Sequence, residues 1–153
     1  MISEKERLWT LYSEIGSRPV MWLWKPYIPL GKVTLLQAES AETITSFLTR
    51  ILSEISKGGD TPDGKRFGRS SKIVYQSSLS REVVRENLEK EGADYNQIGF
   101  IEGIQPDLLE TYLDDLEKAI EGSWSKVIVI DTIGAYSVEA LLAGLVSLPR
   151  RNT

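Results

Sequence analysis

The 153-residue chain contains no cysteine and no histidine. The first absence excludes disulfides, thiolate nucleophiles and cysteine zinc sites, and the second removes every histidine ligand and every histidine acid–base scheme. Any catalysis would rest on carboxylates, hydroxyls, lysine or arginine. Positive charge is also in deficit: 18 Lys and Arg against 22 Asp and Glu leave a net charge of −4. Such a chain lacks a whole-surface electrostatic footprint for nucleic acid, which leaves only a local basic patch. No apolar run is long enough to span a membrane. The opening Ser3-Glu4-Lys5-Glu6-Arg7 is charged where a secretory signal would be apolar, so a cytoplasmic protein without a membrane partner is expected.

What is present has the proportions of one folded domain over residues 1–153, with 41% hydrophobic and 26% charged residues. Leu8, Leu11, Tyr12 and Ile15 recur at helical spacing, and Ser3 and Glu6 stand in capping-box spacing. A helix is therefore expected within residues 1–16. Residues 17–31, rich in proline and tryptophan, suit an extended lead-in without regular structure. An α/β core over 32–148 follows. Its first pieces are a strand at 33–37, apolar enough to be buried on both faces, and a helix whose stripe is Ile44, Phe47, Leu48, Ile51, Leu52 and Ile55.

Residues 57–72 are glycine-rich and basic, and Thr61-Pro62-Asp63-Gly64 is a turn signal. They are expected to form a mobile surface connection, of which Lys65, Arg66 and Arg69 are candidate contacts to nucleic-acid phosphates. Strands at 72–77, 98–101 and 127–130 alternate with helices at 80–90, 106–121 and 137–148. Leu113, Leu116, Ala119 and Ile120 share one face of the penultimate helix, and Asp114, Asp115 and Glu117 lie opposite. This alternation predicts a mainly parallel sheet in a three-layer α/β/α arrangement.

The run Trp22-Leu23-Trp24-Lys25-Pro26-Tyr27-Ile28-Pro29-Leu30-Gly31-Lys32, followed by Val-Thr-Leu-Leu, resembles the lead-in to the phosphate loop of RepA-like and RadA-like ATPases of the RecA superfamily. The likeness extends to Lys72-Ile73-Val74-Tyr75 and Lys126-Val127-Ile128-Val129-Ile130-Asp131, and so covers most of the chain from about residue 20 to 136. It implies a RecA-like P-loop fold and a setting in DNA replication, recombination, or plasmid and phage maintenance. It also implies that the family would continue past this chain's last helix with further strands. In the usual strand order one of these separates the Walker A and Walker B strands, so here either those two pair directly or a partner fills the gap.

Placed in that frame, the phosphate loop is Ala38, Glu39, Ser40, Ala41, Glu42, Thr43, Ile44 and Thr45. Its pattern, G-x-x-x-x-G-K-[ST], uses glycine backbone and a lysine to hold phosphates. Here Ala38 and Thr43 stand at the glycine positions, Ile44 stands at the lysine position, and Glu39 and Glu42 bring negative charge to the helix start. Thr45 matches the metal-side hydroxyl and Asp131 the Walker B aspartate. Leu79, in Ser77-Ser78-Leu79-Ser80, replaces the water-orienting glutamate. The expectation is a non-hydrolysing RecA-like module that binds a protein partner or assembles with itself and needs no cofactor. Two alternatives stay open: a weak ATP binder or slow ATPase using Thr45 and Asp131 with magnesium and a borrowed lysine such as Lys32, and a single-stranded DNA binder acting through residues 57–72.

Overall fold

The computed structural model describes residues 8–102 and 109–131, together with Val146. The chain divides into two compact units, Met1–Leu30 and Gly31–Thr153.

In the first unit the lead-in forms a small antiparallel hairpin rather than an irregular segment. Strand β1 (Trp22–Trp24) pairs with β2 (Ile28–Pro29), Trp24 standing opposite Ile28. The turn between them contains a cis Lys25–Pro26 bond. Across it the Tyr27 N–H donates to the Trp24 carbonyl at 2.7 Å, and the two rings meet at 4.7 Å between centroids. Proline is tolerated in β2 because a two-stranded ribbon has an edge on each side. The expected N-terminal helix is not formed in its described part. Residues 8–11 are not helical, and Tyr12–Glu14 make a single 3-10 turn. A short helix needs its apolar stripe buried to offset the cost of nucleation, and here Leu8 is 99% and Tyr12 91% exposed.

The second unit begins its regular structure with α1 (Ala41–Lys57). Ser40 starts it, its Oγ accepting the Thr43 N–H, and Gly58 ends it in the left-handed region at φ 67°. These are the residue types that helix ends select. The stripe is buried only toward the C-terminal half, through Ile51, Leu52 and Ile55. Hydroxyls on the buried side are satisfied inside the helix: Thr49 donates to the Thr45 carbonyl, Ser53 to Thr49 and Ser56 to Ser53, at 2.6–2.7 Å.

Four elements follow the pattern expected from the alternation: β3 (Ile73–Ser77), α2 (Arg81–Lys90, capped by Ser80), β4 (Ile98–Gly99) and β5 (Val127–Asp131). Between β4 and β5 lies α3 (Leu109–Ser123), whose Leu116 is fully buried. The strands form a parallel sheet in the order β4-β3-β5, with β3 central and its first three residues buried. Helices α1 and α2 touch directly, and the core comprises Ile51, Leu52, Ile55, Ile73, Val74, Tyr75, Leu88 and Leu116. The Asp94 N–H donates to Ser56 Oγ at 3.0 Å, tying the loop before β4 to α1. Chemically, then, the unit is a mixed α/β structure built on a parallel sheet.

Two further expectations fail. Residues 33–37 are not a strand. Residues 33–38 lie outside regular structure, are exposed, and make no backbone hydrogen bond among the described residues. An apolar run becomes a strand only when a neighbour accepts its ladder, and β5 pairs with β3 alone among the described residues. Nor are residues 57–72 a loose connection. The Gly59 N–H donates to the Glu54 carbonyl, Phe67 to Gly59, Thr61 to Lys65 and Gly64 to Thr61, so the Thr61–Gly64 turn closes a hydrogen-bonded hairpin loop. The helix expected at 137–148 lies outside the described residues except for Val146, which is helical and 54% exposed.

Candidate functional site: the junction into α1 and the end of β5

The junction at residues 38–45 is set by helix capping. Ser40 Oγ accepts the Thr43 N–H at 3.1 Å and lies 2.8 Å from Thr43 Oγ1. The Ile44 N–H reaches the Ser40 carbonyl at 3.3 Å. A helix start that received a phosphate would present these N–H groups outward. Here the protein's own serine takes one of them, and Glu42 lies in the first turn. Ala38, Glu39, Ala41 and Thr43 are exposed, whereas Ile44 and Thr45 are half-buried where α1 turns toward its packed half. The Thr45 carbonyl is engaged by Thr49. Lys32, the candidate substitute cation, is exposed.

Asp131 is positioned by register. Parallel pairing of β5 with β3 runs from Ile73 opposite Val127 to Ser77 opposite Asp131, so the aspartate arrives at the C-terminal edge of the sheet, the edge at which open α/β sheets build their sites. There its Oδ2 accepts a 3.0 Å hydrogen bond from the Tyr75 hydroxyl, and its carbonyl accepts the Ser78 N–H at 3.1 Å. Tyr75 is buried. Burial, and after it the charge of Asp131, pushes its phenol well above the usual tyrosine range, so Tyr75 stays protonated and remains a donor. The Asp131 carboxylate is therefore held by a protein group, as a structural aspartate would be.

Leu79 lies in the turn between β3 and α2 near the same sheet edge. Its N–H donates to Ser77 Oγ at 3.2 Å, and its side chain is 39% exposed. The turn thus presents a hydrocarbon at this edge of the sheet. Among the described residues no group of three or more carboxylates is placed to hold a metal ion. A cavity of about 240 Å³ does exist, lined in part by Lys72, Ile73, Gln97, Ile98, Ala119 and Ser123, and it includes none of residues 38–45, Leu79 or Asp131.

The three candidate nucleic-acid contacts occupy the ordered loop. Lys65 lies 3.7 Å from Asp63 and Arg66 3.9 Å from Asp60, all at the surface, while Arg69 makes no ion pair among the described residues. Tyr75 and Glu54 escape sequence reasoning. Tyr75 reads as one more apolar strand residue until register sets it beside Asp131. Glu54 reads as helix surface, yet its Oε2 accepts the Asp60 N–H at 3.0 Å and its Oε1 the Lys57 ammonium at 3.1 Å. These bonds, Lys57 foremost, hold its carboxyl below the ordinary value of 4.5.

Fold and site together define a class: a mixed α/β protein whose parallel sheet carries one tyrosine-held aspartate at its C-terminal edge and a self-capped helix start. No protein family, no curated protein and no solved structure matches the chain.

Proposed function

We propose that the chain is a RecA-like module, three-layered in plan, that has kept its scaffold, lost nucleotide hydrolysis, and acts by binding or assembly in DNA replication or recombination. The observation that carries the proposal is the Ser40 cap: the N–H of Thr43, at the second glycine position of the loop, is bonded to a side chain of the protein. The isoleucine at the lysine position, half-buried on α1, supports the same reading, as do Leu79 in place of a carboxylate and the Tyr75 bond to Asp131. The scaffold side rests on the resemblance of residues 20–136 and on a parallel sheet that carries the Walker B-like strand next to the strand that precedes Leu79.

Calorimetric titration with ATP and magnesium tests the proposal. Expected is no binding up to millimolar nucleotide. Micromolar binding, or sustained release of phosphate by pure protein, would overturn it in favour of an ATP-dependent protein that uses Thr45 and Asp131.

A further inference from the structure

We draw no further inference here: the strongest candidate, the mainly apolar cavity of about 240 Å³ lined by Ile73 of β3, Ile98 of β4, Phe100 and Ile101 after it, and Ala119 and Ser123 of α3, opens at the surface, and nothing among the described residues shows what covers or fills it.

Discussion

Tyr75 and Asp131 are coupled side chain to side chain at the end of the sheet, and the consequences are specific. The phenol donates to a carboxylate, a bond worth about 1.5–3 kcal/mol when one partner is charged. Tyr75→Phe should therefore destabilise the chain by roughly that amount in urea titration, whereas Asp131→Asn, which keeps an acceptor oxygen, should cost less. The pH dependence follows from the raised phenol: a folded-state value above the unfolded one stabilises the fold fully below the ordinary tyrosine pKa and is lost as pH climbs through it. Wild-type stability should thus fall above about pH 10, and Tyr75→Phe should lessen that fall. Ile44 makes the opposite kind of statement. Because it is half-buried, Ile44→Lys should cost only about 1 kcal/mol, since a lysine stem can lie along the apolar face while its ammonium reaches water. The Ile44→Lys variant should nevertheless show no measurable ATP binding, because Ser40, Thr43, Glu42 and Leu79 are unchanged; micromolar binding by that single variant would show the remaining site to be competent.

Helix α1 and the loop after it behave as one element. The helix ends at Gly58, where a Cβ would meet the Gly68 carbonyl and would also have to adopt a positive φ. Gly58→Ala should consequently destabilise by more than the ~1 kcal/mol that left-handed backbone alone costs a side chain, as read from the thermal midpoint. Beyond that glycine the loop hangs on Glu54, which receives the Asp60 N–H and the Lys57 ammonium. A carboxyl held below its ordinary value stabilises the fold above that value and loses its contribution as pH falls through the lowered one. Protection of the Asp60 amide, relative to its intrinsic exchange rate, should weaken on acidification below the ordinary carboxylate range, more than at Ile73 in the core, and Glu54→Gln should flatten that dependence. The turn Thr61-Pro62-Asp63-Gly64 was legible from its residues because turn chemistry is local. The latch to Glu54 was not, since a glutamate on a helix surface carries no mark of what will fold back onto it.

For the whole molecule the balance of charge matters more than the basic loop. Two of the three candidate phosphate contacts already face aspartates, and the chain is net negative. Full-length protein should give no salt-dependent shift of single-stranded DNA; a shift lost in a double Arg66→Ala, Arg69→Ala variant would assign the loop to nucleic acid after all. Among the described residues no helix is long and apolar enough to cross a membrane.

The alternation of helices and strands after residue 40 could be read directly from the chain. Periodicity acts within a few residues, and α1, β3, α2, α3 and β5 all appear where it places them. That residue 44 is isoleucine and that residues 38–45 contain no glycine was equally plain, because the identity of a residue needs no fold to be known. Tertiary structure alone decided which apolar runs became strands. Val-Ile-Val-Ile of β5 found β3, whereas Val-Thr-Leu-Leu at 33–36 found no neighbour and stayed exposed. It also decided what Asp131 touches, through a register in which Tyr75 lies two residues before the residue opposite the aspartate. A strand's hydrogen bonds belong to its partner, and partners are distant in sequence, so a run of side chains specifies readiness to pair and leaves the pairing to the assembled fold.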